Sequence, residues 1–288
     1  MTTLRPFVLL QFLLPKQLLT AALHWLARVR CRRLQQWLIR GFMAVFKPNL
    51  EEAARPDPRD YATFAEFFTR GLRPGARPLD ADQRAVLSPC DGRVSECGAI
   101  TAGRLLQAKG RLYGVNELLA GDTDLSARFE QGTFITIYLA PFDYHRVHMP
   151  RTARLLRSAH VPGQLFSVNA RTAATVPRLF ARNERLIFEF AEADGSRFVM
   201  LLVGALNVGS MESIWHGELR PRGRGAAIAL TSPAPGEAQL NAGDEMGRFN
   251  FGSTVICLFE PGAVALDPQV AVSMQLRMGQ RIGRRTHG

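Results

Sequence analysis

Apolar and basic side chains alternate at helical spacing through the first fifty residues. Leu18, Ala22, Trp25, Leu26 and Val29 recur at intervals of three and four, and Leu34, Trp37, Leu38 and Phe42 continue the stripe. The pattern predicts helix over 17–46, weakened at Gly41 and stopped by Pro48. Residues 51–80 are punctuated by Pro56, Pro58, Pro74 and Pro78. They read as a polar connection with a short helix over 64–69. From about Val86 the texture changes. Runs at 132–139, 185–190, 198–203 and 254–259 are rich in β-branched and aromatic residues and bounded by Gly, Pro, Asn or Asp, so they read as strands. Their spacing does not make regular βαβ units. The expectation is an α+β fold: a mainly antiparallel β sandwich or barrel core with a few helices, one at 115–120, and an N-terminal amphipathic helical segment. The division expected is a segment 1–50 and a main domain 51–288, with no internal repeat.

The chain of 288 residues is 47% hydrophobic and 21% charged, enough apolar material for a core and against disorder. The formal net charge of +11 is unevenly spread. Arg5, Lys16, Arg28, Arg30, Arg32, Arg33, Arg40 and Lys47 all precede the first acid, Glu51. Interleaved with Leu, Phe and Trp, this charge suits an anionic membrane surface better than nucleic acid, whose zinc-finger spacings and aromatic signatures are absent. The competing reading is a helical hairpin packed on the core, although a soluble hairpin normally mixes signs. Residues 7–14 are apolar, but Pro15 and Lys16 follow, so no signal peptide is read. The later charges break any run long enough to span a bilayer. Cys31, Cys90, Cys97 and Cys257 lack metal-ligand spacing and read as reduced thiols on a cytosolic-facing protein.

Three segments carry candidate chemistry. The first, 88–94, holds an Asp91-Gly92 pair, by itself a turn. The second, 141–150, places His145 and His148 three apart between prolines, which favours a loop or short strand over a helix. With no glutamate between them the zinc-protease pattern is absent, and a metal site ranks no higher than a single histidine acting as general base. The third, 243–256, runs through Gly252, Ser253 and Thr254 into a strand. It reads as a tight turn and is not a Gly-x-Ser-x-Gly elbow.

Together with Leu-Gln-Ala-Lys-Gly at 106–110, Val-Pro-Gly-Gln-Leu-Phe-Ser-Val-Asn at 161–169, Phe-Ala-Arg-Asn-Glu-Arg at 180–185 and Glu-Met-Gly-Arg-Phe at 245–249, these segments resemble the phosphatidylserine decarboxylase family, bacterial membrane-associated type, over nearly the whole chain. One departure is Phe251, where the family usually has leucine. The resemblance implies a carboxy-lyase that converts phosphatidylserine to phosphatidylethanolamine and CO₂. Its cofactor would be a pyruvoyl group made from Ser253 by autocatalytic cleavage of the Gly252–Ser253 bond. In that scheme Asp91 orients His148, which deprotonates Ser253, and the hydroxyl attacks the Gly252 carbonyl. Elimination of the ester then separates a β chain, 1–252, from an α chain, 253–288, that remain paired, with further oligomerisation left open. His145 is implied as the acid of turnover, and Ser167, Val168 and Asn169 as the headgroup site, where a plain turn is nearly as good a reading. Lysine is confined to Lys16, Lys47 and Lys109, which fits a pyruvoyl sink better than pyridoxal phosphate. The implied partner is phosphatidylserine in an anionic membrane, not nucleic acid, with the protein peripheral on the cytoplasmic face of the inner membrane. Deleting 1–45 is then expected to weaken membrane binding more than self-cleavage. The alternatives are a serine hydrolase using Ser253, His148 and Asp91 without cutting itself, a basic membrane or nucleic-acid adaptor, and an inactive relative.

Overall fold

The computed structural model describes residues 11, 14–206, 210–223, 225–234 and 236–286. Arg5 and most of the apolar run 7–14 lie outside them. The predicted N-terminal helix is two helices, α1 (Lys16–Ala27) and α2 (Arg32–Phe46). The break falls at the basic cluster, where Arg30, Arg32 and Arg33 would crowd like charges onto consecutive turns of one helix. Bending also lets Ala27 of α1 and Ile39 of α2 both bury against Tyr61, Phe64, Phe67 and Phe68. Those phenylalanines belong to α3 (Phe64–Phe68), capped by the Thr63 hydroxyl accepting from Glu66 N. The helices therefore share a small core with the polar connection instead of standing apart from it.

The polarity of α1 is inverted. It buries Lys16, Thr20 and His24 against the protein and leaves Leu18 and Trp25 about 70% exposed, at 72% and 70%. On α2, Trp37 and Val45 are likewise exposed.

Eighteen strands follow in chain order among the described residues. The first nine are β1 (Ala85–Leu87), β2 (Gly92–Ala99), β3 (Arg104–Ala108), β4 (Arg111–Gly114), β5 (Thr133–Tyr138), β6 (Arg146–His148), β7 (Ala153–Val161), β8 (Arg185–Ala191) and β9 (Arg197–Val203). The rest are β10 (Met211–Ser213), β11 (Gly217–Leu219), β12 (Ile228–Ala229), β13 (Gln239–Leu240), β14 (Glu245–Phe249), β15 (Thr254–Phe259), β16 (Val264–Leu266), β17 (Gln275–Leu276) and β18 (Arg281–Arg285). The four strands read from the β-branched runs are β5, β8, β9 and β15, and the helix expected at 115–120 is Val115–Leu118.

The main sheet runs β12-β7-β8-β9-β15-β5-β2-β17, with β13 also on β7, and its named pairings are antiparallel. It does not close, so of the two expected architectures the barrel is not realised among the described residues. The sheet's edges are the two-residue strands β12 and β17, which pair only inward, with β7 and β2. A second sheet, β11-β10-β14-β6, lies alongside. The core is densest at β15, whose six residues are all buried between β9 and β5. Such a strand reads as continuously apolar instead of alternating.

Candidate active site

The chain crosses between the two sheets at residues 250–253. β14 belongs to the four-stranded sheet and β15 to the main one, so the four-residue link must turn sharply in the interior. Ser253, at the mouth of β15, is fully buried. Its carbonyl accepts from Leu139 N at 2.7 Å, and its hydroxyl donates to the Val203 carbonyl. Gly252 allows this path because it has no side chain. A Cβ there would stand 2.4 Å from His145 Nε2 and 3.2 Å from the Leu139 carbonyl.

His145 is held by β6 pairing with β14, since its carbonyl accepts from Phe249 N at 3.0 Å. Its Nδ1 lies 2.8 Å from the Asp143 carbonyl, which only accepts, so the ring proton sits on Nδ1 and Nε2 carries the lone pair. That Nε2 is buried with no partner among the described residues. The ring packs on Phe68 with centroids 4.2 Å apart. Burial, with the nearby Arg70 charge second, pushes the imidazole down to about 3, so His145 is a neutral base at neutral pH.

His148 is set the same way but points elsewhere. Its Nδ1 donates to the Gly243 carbonyl at 2.8 Å, and its Nε2 accepts from the Tyr144 hydroxyl at 3.0 Å. Burial lowers its pKa. Asp91 is engaged by a forked pair with Arg77 and by Met278 N at 2.8 Å. Arg77 also reaches Glu52 at 2.8 Å. Asp91, His148 and Ser253 thus each bond to other groups and do not form the chain of hydrogen bonds expected from the sequence. Asp91 reaches His148 only through its field, and that effect is minor beside burial. The Asp91-Gly92 turn is real, and Gly92 is obligatory. Its φ is +155, and a Cβ would lie 2.6 Å from the Tyr138 carbonyl.

Ser167 and Val168 line a cavity of about 310 Å³ together with Gly252, Phe68 and Phe251 and with Leu23, Phe42 and Phe46 of the N-terminal helices. Asn169 is not on its wall. Its carboxamide oxygen caps the helix Ala170–Ala173 by accepting from Thr172 N at 3.0 Å. The Phe251 ring stacks on Phe64 and Phe68 at 5.7 and 4.9 Å, so the departure from leucine joins the aromatic cluster.

Sequence reading missed three neighbours. Asp143 is pushed up to about 6 by burial, with the Asp91 charge adding to the effect. Arg70 is 3% exposed, and its Nε and Nη1 lack partners among the described residues. Tyr144 supplies the hydroxyl on His148. Asp143 and Tyr144 adjoin His145 in the quoted segment and were within reach of that signal, whereas Arg70 was not. Among the described residues no group of His, Cys, Asp and Glu is arranged to hold a metal. All four cysteines are free.

A family model described as phosphatidylserine decarboxylase matches residues 64–284, and one described as PSD matches 6–47. A protein of Chromobacterium violaceum named phosphatidylserine decarboxylase proenzyme is 49% identical over 276 residues, covering 96% of this chain and 98% of its own length. Proteins of the same name from Verminephrobacter eiseniae and Yersinia enterocolitica are 46% and 48% identical, covering 96% and 94% of this chain and 97% and 93% of their own. With Gly252 and Ser253 at a buried crossing beside an unpartnered histidine nitrogen, and relatives of this similarity along nearly the full length, the chain belongs to the phosphatidylserine decarboxylase family.

Proposed function

We propose that this chain decarboxylates phosphatidylserine to phosphatidylethanolamine after cutting itself between Gly252 and Ser253. The observation that carries the reading is the side-chain-free Gly252 facing the bare Nε2 of buried His145 at the entrance to a core strand. The relatives' printed name, proenzyme, agrees with processing and disfavours an uncut serine hydrolase.

In maturation the Ser253 hydroxyl turns from the Val203 carbonyl and attacks the Gly252 carbonyl. The peptide C–N bond breaks and an ester forms, with the proton passing to the freed amine. Elimination across Cα–Cβ of residue 253 expels the Gly252 carboxylate. The remaining enamine tautomerises, and water releases ammonia to leave the pyruvoyl. Asp91 and His148 are assigned to this stage. For His148 to take the hydroxyl proton, Tyr144 must first release Nε2. The products stay paired because β15 lies between β5 and β9 of the larger chain, while β17 and β18 pair with β2 and β1.

The site fits the pyruvoyl group: no more bulk is needed than serine has, and Nε2 of His145 is left with a lone pair to spare. When present, the group supplies the electron-accepting carbonyl that decarboxylation of an α-amino acid requires. His145 is assigned the proton at substrate Cα. Its bare Nε2, neutral at neutral pH, is the basic atom that stands against Gly252 and Ser253 and is free to take and return a proton there. Phe68 and Phe251 keep the cavity apolar and exclude water. Ser167 and Val168 contact the headgroup.

The N-terminal helices bring the substrate. No helix among the described residues is long and apolar enough to cross a membrane. Exposed Leu18, Trp25, Trp37 and Val45 sit beside exposed Arg30, Arg32, Arg33 and Arg40, a surface suited to lie in an anionic bilayer on the cytoplasmic face of the inner membrane. Leu23, Phe42 and Phe46 of the same helices line the cavity.

Intact-mass measurement tests the whole. The native chain should yield two pieces, the shorter beginning with a keto-acyl group, and Ser253→Ala should stay at 31.9 kDa without releasing CO₂. His148→Ala should remain uncut, whereas His145→Ala should be cut and fail in turnover. The opposite pattern would exchange the two histidines' roles.

A further inference from the structure

We propose that Glu218 is a positioning residue for self-cleavage, holding α1 on one side and the cleavage loop on the other, so that cutting before Ser253 depends on α1 being seated. This rests on the reading that the chain is cut there.

A single oxygen carries the connection. Glu218 Oε1 accepts from His24 Nε2 of α1 at 2.7 Å and from Nη2 of Arg28, the C-cap of that helix, at 2.6 Å. It also accepts from the Ser210 hydroxyl at 2.6 Å. Ser210 Oγ in turn accepts from Asn250 Nδ2 at 2.6 Å, and Asn250 N donates to the Ser210 carbonyl at 3.1 Å. Asn250 Nδ2 also lies 3.5 Å from Glu218 Oε1, so Asn250 is tied to Glu218 through Ser210 and by a longer direct contact, and both routes end on the oxygen that holds His24 and Arg28. Ser210 and Asn250 are 1% and 4% exposed, so water does not easily replace either partner.

Asn250 stands three residues before Ser253, in the link that crosses between the sheets. Its neighbour Phe251 is fixed by Phe64 and Phe68, which also pack on Phe42 of α2. The loop is thus gripped at 250 through α1 and at 251 through α2. The inverted polarity of α1 now has a purpose beyond exposing its apolar face. The buried His24 and the neighbouring Arg28 are the ends by which the loop senses the helix. Attack by Ser253 demands placement finer than folding does, so slackening the grip should affect the rate of cutting before it affects stability.

The test follows pulse-labelled full-length chain in cell-free translation on denaturing gels, with melting compared in the uncut Ser253→Ala background. Glu218→Ala and Ser210→Ala should each slow cutting roughly tenfold or more while the protein still melts cooperatively. Glu218→Gln, which keeps an acceptor for Ser210, should recover part of the rate. His24→Ala combined with Arg28→Met should slow cutting too, and add little on top of Glu218→Ala. Should Glu218→Ala fail to fold, Ser210→Ala decides, because it removes both 2.6 Å bonds of the relay and leaves only the 3.5 Å Asn250–Glu218 contact beside the bonds to His24 and Arg28. Folded Ser210→Ala cut at the native rate overturns the proposal. A native chain not cut before Ser253 overturns the underlying cleavage reading instead.

Discussion

Gly252→Ala is the most discriminating single perturbation of the site. The added methyl would lie 2.4 Å from His145 Nε2, 3.2 Å from its Cδ2 and 3.2 Å from the Leu139 carbonyl. Restoring ordinary van der Waals contact requires a shift of about 1 Å in the ring or the loop. The ring has nowhere to go: it is fully buried, Phe68 lies 4.2 Å behind it, and Nδ1 is tied to Asp143. Overpacking of this kind typically costs ~1–3 kcal/mol of stability. A misplacement near 1 Å at reacting atoms typically costs ~100-fold in rate. The variant should therefore fold, melt several degrees lower, and remain uncut when native chain is fully processed, as read by intact mass over a time course. Gly252→Ala that melts like the native chain and matures at its rate would refute the placement of His145 against the scissile bond.

Other outcomes follow from the same geometry. His145 has its folded pKa depressed from 6.5 to about 3, so it contributes stability that is present above 6.5 and lost as pH falls toward 3, at up to ~1.4 kcal/mol per pH unit. Asp143, raised from 3.8 to about 6, acts oppositely: its stabilisation is present below 3.8 and lost as pH rises to about 6. Urea titrations in the Ser253→Ala background should show that His145→Gln reduces the acid-side loss, and an unchanged pH profile would count against a buried neutral imidazole. Arg77→Met leaves the Asp91 and Glu52 carboxylates without their shared buried cation, and should lower stability by about 3–5 kcal/mol. Chemical denaturation measures this, and a loss below about 1 kcal/mol would mean Asp91 finds another partner. Trp25→Ala with Trp37→Ala, both on exposed faces, should weaken sedimentation with anionic vesicles while leaving self-cleavage at the native rate. Equal binding by both proteins would remove the helices from the membrane surface.

What could be read before the fold was known depended on how local the cause was. β15 was legible because six consecutive buried positions leave a continuous apolar run, and α3 because its phenylalanines cluster between the prolines of the 51–80 connection. The partner of Asp91 was not, because Arg77 lies fourteen residues upstream and reaches it only once the 51–80 connection folds onto the turn. The break between α1 and α2 was hidden for a related reason. Periodicity continues across Arg28 to Cys31, and only the demand that Ala27 and Ile39 share the core of α3 forces the bend. That same demand revises the effect of deleting 1–45. The deletion would strip Phe42 from the rings that hold Phe251 and remove His24 and Arg28 from Glu218, so both walls gripping the cleavage loop would go with the membrane surface. Truncation should therefore arrest maturation as well as membrane binding. Surface substitutions at Trp25 and Trp37, which touch neither wall, are the means to separate the two.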